Sequence, residues 1–331
     1  MADFTFLKNP VTGKTVISAP RRAKRMNAEG EKPSTVCPFC LQNDSGDAVR
    51  VIPNKFPFTP NHEIVVLSPD HHKGFDELPL SHVELIFKTY RERYNFHMKN
   101  GPSFAPPSHK ATEGHSKASA GKQVYIFHNG GLGSGESIPH PHSQIAVVPR
   151  EVKLQIPPLD LRIHRHSGEQ SDSRIRNVLR FWTLQFGGQA SQNDERRGDV
   201  LETKYFSIFC PPTSEWPDEV WVTPKQKGHH FGSLADSEIP DLSMILSRLI
   251  QIFDLRHGHE FPFNFYIYPG KNWYLRLIPR IKVLGGFEVG TGIMVNSQDP
   301  SETFAFIREH FHNPDFEKIR REHQADYVSR V

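Results

Sequence analysis

Residues 129–144 read Asn-Gly-Gly-Leu-Gly-Ser-Gly-Glu-Ser-Ile-Pro-His-Pro-His-Ser-Gln. A β-branched and aromatic run, Gln123 to His128, precedes them, and a short apolar run, Ile145 to Val148, follows and is closed by Pro149. The pattern predicts a loop held between two strands. Gly130, Gly131, Gly133 and Gly135 permit φ > 0 and let backbone N–H groups approach an anionic group such as phosphate. Ser137 and Gln144 add neutral donors that can hold phosphate oxygens. On the strand that begins after Pro139, alternation puts His140, His142 and Gln144 on one face. A glycine-rich turn alone is only a turn, and a His-x-His pair alone can be a structural metal site or two surface histidines. Their combination within sixteen residues points to a chemical site beside a phosphate-sized cradle.

Working outward, 331 residues suit about two domains and can bury a sizeable core. Forty basic and 37 acidic side chains nearly balance, without a long basic block, which argues against a nucleic-acid partner. Neither an apolar run of some 18 residues nor a signal-peptide pattern is present, so a cytoplasmic protein without membrane contact is expected. Three cysteines do not make a disulfide framework, and the pair Cys37 and Cys40 is open to zinc, redox chemistry or accident. The flanking loop residues do not support a thioredoxin-like site, and zinc would need two more ligands.

The series Asn129, Gly131, Gly135, Ser137, His140, His142, Gln144 resembles the active-site motif of the galactose-1-phosphate uridylyltransferases and their relatives in the histidine-triad (HIT) superfamily. The resemblance runs from Asn9 to about Asn296 and is closer to the divergent branch acting on other nucleotide sugars. It implies that His142 attacks the α-phosphorus of a nucleotide sugar and carries the nucleotide covalently, with Ser137 and Gln144 assisting. Gln144 stands where related hydrolases have a third histidine, which implies transfer. Glu136 departs from the pattern, since a carboxylate in the loop would repel a sugar phosphate unless it faces away.

By the same resemblance, Arg22 and Arg25 in Pro20-Arg21-Arg22-Ala23-Lys24-Arg25 lie near the nucleotide phosphates, although the run also reads as a solvated basic turn. Asn54 and Phe56 lie near the base and ribose, with a core phenylalanine the alternative for Phe56. Glu288, in Gly285-Gly286-Phe287-Glu288-Val289-Gly290-Thr291-Gly292, holds the sugar; from the residues alone this run is a β-bulge and a turn. His140, and His62 at the start of a strand, complete a structural Zn2+ site with Cys37 and Cys40 that pins the N-terminal arm beside His142.

The chain also repeats itself. His62 to Val66, then Phe75 and Leu78, then a helix opened by a Ser81–Glu84 capping box, are echoed by Asp218 to Val222, Phe231, Leu234 and an apolar helix through Phe253. Each half then has two strands, the second ending in Pro-Arg, at 149–150 and 279–280. The expected class is α+β with antiparallel sheets, and by resemblance two tandem HIT-like units: residues 1–160, catalytic, and 161–331. Residues 100–122 read as a surface insertion, Val178 to Phe186 as a short helix, and Pro300 as the start of a terminal helix. The second copy lacks a His-x-His pair, reading Lys271-Asn272-Trp273-Tyr274-Leu275-Arg276.

The function implied is a nucleotidyltransferase acting on a nucleotide sugar, with sugar phosphate or phosphate as acceptor, and a homodimer by analogy. The competing readings are a nucleotide hydrolase and a catalytically silent, zinc-stabilised nucleotide-binding protein.

Overall fold

A computed structural model describes residues 4–24, 37–41, 47–101, 121–156, 159, 200–318 and 321. Arg25, residues 102–120, the expected helix over 178–186 and the expected boundary at 160/161 lie outside them. A small hairpin, β1 (Thr5–Lys8) with β2 (Thr15–Ser18), opens the chain. A short helix, α1 (Pro38–Leu41), follows.

One nine-stranded antiparallel sheet forms the body. Its strands are β3 (Arg50–Pro53), β4 (His62–Val66), β5 (Lys122–Gly130), β6 (His142–Pro149), β7 (Leu201–Glu202), β8 (Phe206–Phe209), β9 (Val220–Pro224), β10 (Phe263–Ile267) and β11 (Leu275–Pro279). Their order is β3-β4-β6-β5-β10-β11-β9-β8-β7. Read outward from the β5–β10 junction, each half repeats the same succession, β5-β6-β4-β3 and β10-β11-β9-β8. The repeat seen in the sequence is therefore built into one continuous sheet, where two sheets were expected.

Helices cover one face. In α2 (Leu80–Asn100), Val83, Ile86, Phe87, Tyr90 and Tyr94 are buried, and in α3 (Ile239–His257) the buried stripe includes Leu242, Ile245, Leu246, Leu249, Ile252 and Phe253. Three- and four-residue spacing makes each a one-sided apolar helix. With Val65, Val124, Ile145, Val220, Phe265 and Leu277 from the strands, they form one core spanning both halves. The expected Ser81–Glu84 capping box does not form: Pro79 is the N-cap and the helix starts at Leu80, placing Ser81 already in the first turn. The glycine-rich run expected as a bulge and turn is instead a short helix, α4 (Gly286–Thr291). The last helix, α5 (Pro300–Phe311), starts as expected, Asp299 accepting from the Ser301 N–H.

Ile245 is fully buried at the centre of α3. Ile245→Ala should cost about 2–5 kcal/mol, read by chemical denaturation, because the cavity it leaves relaxes only in part.

Candidate functional site

β5 ends in Asn129 and Gly130, and the loop to β6 makes a single 3-10 turn, Leu132–Ser134. Gly131 and Gly135 have φ of 77° and 86°, and a Cβ at Gly131 would also come within 3.0 Å of Pro262 Cα. Only glycine suits these two positions. The second half anchors the loop: Asn264 Nδ2 donates to Asn129 Oδ1 at 2.8 Å and to the Ser134 carbonyl at 3.1 Å. Arg280 Nη1 in turn donates to Asn264 Oδ1 at 3.0 Å.

Several loop amides expected to face a phosphate are used within the loop. The Ser134 N–H donates to the Gly131 carbonyl at 3.1 Å and the Gly135 N–H to the Leu132 carbonyl at 3.5 Å. Glu136 folds back to accept from the Gly131 N–H. Burial, reinforced by nearby Glu260, nevertheless raises its pKa to about 7. Ser137 is half-buried in the same loop.

His142 is 3 % exposed, and its Nδ1–H donates to the His140 carbonyl at 2.9 Å. A carbonyl can only accept, so Nδ1 carries a proton, and the neutral form of the ring has its lone pair on Nε2. Gln144 shares that face, since directly opposed residues of paired strands lie on one face and β4 sets Ile64 against Gln144 and Val66 against His142. Ser143 points to the helix side, where its Oγ contacts Tyr90 OH and lies 3.0 Å from His128 Nδ1. The His128 ring stacks on Phe263 and Phe265. Burial, then the neighbouring His142, lowers its pKa to about 3, which keeps it neutral.

The expected metal set is corrected at one position. Cys37, Cys40, His71 and His140 converge, with one ligand atom from each lying within 4.8 Å of the others. His62 is not among them, and antiparallel register explains why. His62 pairs with Ala146, four residues past His142, whereas His140 precedes β6 and so lies beyond the other end of β4. The chain leaving β4 accordingly supplies the fourth candidate, His71, in Ser68-Pro69-Asp70-His71. His140 Nε2–H donates to the Ser68 carbonyl at 2.9 Å, turning a bare Nδ1 toward the two sulfurs at 3.7 and 3.4 Å. Two thiols and two imidazoles at such separations suit a tetrahedral zinc ion, and the Ser68 contact is the outer support that such a histidine ordinarily has. Phe39, between the cysteines, packs edge-on against His140 and His142, at 5.8 and 5.1 Å. Arg50 donates to the Phe39 carbonyl and holds this wedge.

His62 instead joins the residues around Gln144. Its Nε2 lies 2.9 Å from Gln144 Oε1. Asn54 Oδ1 accepts from the Phe56 N–H, and Arg22 donates to the Phe56 carbonyl at 2.6 Å while lying over the Phe58 ring. Arg22, Asn54, Phe56 and Gln144 are thus brought together. Glu288 is not brought to them: among the described contacts it binds Lys282 and the Gly285 N–H, inside its own loop.

In the second half, Tyr274 stacks on Trp221 at 4.3 Å and Arg276 pairs with Glu219 at 2.8 Å. Asn272 holds the Gly228 N–H. These contacts form a structural brace at the place of the first half's histidines. Among the described residues, one further set of ligand-type side chains meets, Asp76, Asp254 and His259.

Residues 58–147 match the model of the galactose-1-phosphate uridyl transferase N-terminal domain. The matched segment spans β4 through most of β6, and so includes His62, His71, His140, His142 and Gln144. An ADP-glucose phosphorylase of Arabidopsis thaliana is 23% identical over 357 residues, covering 91% of this chain and 92% of that protein. A galactose-1-phosphate uridylyltransferase of Thermotoga maritima is 22% identical over 266 residues, covering 75% and 73%. Among solved structures, the Arabidopsis ADP-glucose phosphorylase with bound ADP-glucose superposes with a TM-score of 0.59 at 23% identity, over 93% of this chain and 99% of that one. A uridylyltransferase structure gives 0.63 at 19%, over 92% and 98%. The matched segment therefore lies within an α+β fold that these structures share along nearly the whole chain.

Sequence reasoning missed His71, Phe39 and the anchors Asn264 and Arg280. Phe39 stood in plain view within the cysteine pair, and His71 required knowing the direction in which β4 runs past β6.

The raised pKa of Glu136 gives a signed prediction. A carboxyl whose folded pKa exceeds the ordinary 4.5 keeps its proton longer when folded, so stability falls as pH rises from about 4.5 to about 7. Glu136→Gln should remove that loss, and its melting temperature relative to the unsubstituted protein should rise across this window and level off above it.

Proposed function

We propose that the chain is a nucleotidyltransferase that acts on a nucleotide sugar or hexose 1-phosphate through a covalent nucleotidyl-His142. One observation carries the reading: the His142 Nδ1–H is committed to the His140 carbonyl, which orients a neutral imidazole with Nε2 as the nucleophilic atom. Nε2 attacks the α-phosphorus in line, a P–N bond forms, and the P–O bond to the departing hexose 1-phosphate breaks. An oxygen of phosphate or of a second sugar phosphate then attacks the same phosphorus and breaks the P–N bond. The His140 carbonyl stabilises the positive charge that the ring carries while nucleotidylated. With several loop amides used internally, the Gln144 amide and the Arg22 guanidinium are the donors suited to the phosphoryl oxygens.

Cys37, Cys40, His71 and His140 would hold a zinc ion, which would act structurally by fixing the backbone that carries His142. Division into catalytic residues 1–160 and a second HIT-like unit, 161–331, agrees with the mirrored strand order. A cytoplasmic setting suits a reduced thiol pair, and among the described residues no helix is long and apolar enough to cross a membrane. A homodimer is in keeping with the exposed apolar side chains Val283, Phe287, Val289, Ile293 and Val295.

Intact-protein mass after incubation with ADP-glucose, UDP-glucose and their galactose counterparts tests the reading. The expected result is a gain of one nucleoside monophosphate, absent in His142→Gly. Binding without any adduct would move the assignment to a nucleotide-binding protein. Metal analysis of the same preparations should find one zinc per chain, lost in Cys40→Ser and His71→Ala and retained in His62→Ala.

A further inference from the structure

We infer that His62 is a positioning residue for Gln144: its ring fixes which end of the Gln144 amide faces the substrate phosphoryl group. This inference rests on the nucleotidyl-transfer reading of the site. The geometry sets the direction of each hydrogen bond. The Phe58 N–H, which can only donate, lies 3.4 Å from His62 Nδ1, so Nδ1 is the acceptor and the ring proton is on Nε2. Nε2–H then donates to Gln144 Oε1 at 2.9 Å. Asn54 Nδ2 lies 3.2 Å from the same Nε2, but two N–H groups cannot bond to each other; Asn54 is held instead through Oδ1 by the Phe56 N–H.

With Oε1 taken by His62, the Gln144 NH2 is the end left to meet a ligand. A flipped amide would present a carbonyl oxygen to phosphoryl oxygens and repel them. His62 is 4 % exposed and its ring packs on Phe58 at 4.1 Å, so it cannot readily turn. The β4–β6 register supports the contact from behind, setting Ile64 opposite Gln144 and His62 two residues along the same face. His62 thus connects the Asn54–Phe58 turn to the residue beside the nucleophile's strand start, and acts on the reaction only through Gln144.

The direct test is the tautomer. In 15N-labelled protein the His62 ring should be protonated at Nε2 and bare at Nδ1; a proton on Nδ1 would overturn the inference whether or not the protein turns over. The kinetic test is a double-mutant cycle on nucleotide transfer from the sugar nucleotide that forms the adduct. His62→Phe should lower kcat about tenfold or more with KM within about twofold, and Gln144→Ala about a hundredfold, the scale of one lost transition-state donor. The double variant should be no slower than Gln144→Ala. His62→Gln, which can place an N–H where Nε2 stands, should recover much of the loss, and zinc content should be unchanged throughout. Multiplying effects, an unaltered kcat in His62→Phe, or loss of zinc with His62 would each refute the role. Failure of the unsubstituted protein to form an adduct would instead refute the transfer reading and leave the tautomer measurement to decide this one.

Discussion

The hydrogen bond from His142 Nδ1 to the His140 carbonyl is the contact on which the site depends. It joins two chemistries in three residues of chain. The His140 side chain turns outward to two cysteine sulfurs and His71, while its backbone carbonyl turns inward to the His142 ring. Any shift in the cluster moves the carbonyl, and the carbonyl sets the ring. Pro139 and Pro141 on either side remove two backbone donors and limit φ, so the segment has few other ways to lie. Phe39 adds a second route, since one ring touches both histidines.

Around this contact, each half of the chain supplies what the other cannot. The first half contributes the histidines, Gln144, and the turn that carries Asn54 and Phe56. The second contributes Asn264 and Arg280, which hold the loop through its Asn129 side chain and Ser134 carbonyl. Where the repeat might have offered a second pair of imidazoles, Trp221, Tyr274 and the Arg276–Glu219 pair fill the space. Arg276 is 4 % and Glu219 2 % exposed, and a pair desolvated so fully would be strongly destabilising if one partner were removed. That half is built for rigidity.

How far the sequence disclosed this follows from the range of each signal. Local periodicity marked α2 and α3, composition marked the strands flanking the glycine loop, and Pro300 marked the start of α5, because burial stripes, β-branched runs and helix-start signals are properties of short windows. The motif at 129–144 marked the loop and the pair His140 and His142 for the same reason. Ligands contributed by distant segments were harder: assigning His62 to the metal required the register between β4 and β6, which no short window contains. Glu136 was legible as an anomaly but not as a solution, since only the folded loop shows its carboxylate turned onto the Gly131 N–H. The capping box failed because Pro79 is the N-cap, two positions before Ser81, so the helix begins early.

The junction between β5 and β10 has a consequence for biosynthesis. β10 starts at Phe263, so the partner of β5 leaves the ribosome more than 130 residues after Gly130. At about 5–20 residues per second, the inner edge of the first half waits roughly seven to twenty-seven seconds with its N–H and C=O groups unpaired. Throughout that interval a complete set of histidines and cysteines is present, yet the strand that carries Asn129 remains an open edge able to recruit any other extended chain. The nascent first half is thus the most association-prone form of this protein, and the late-arriving strand is what ends that exposure.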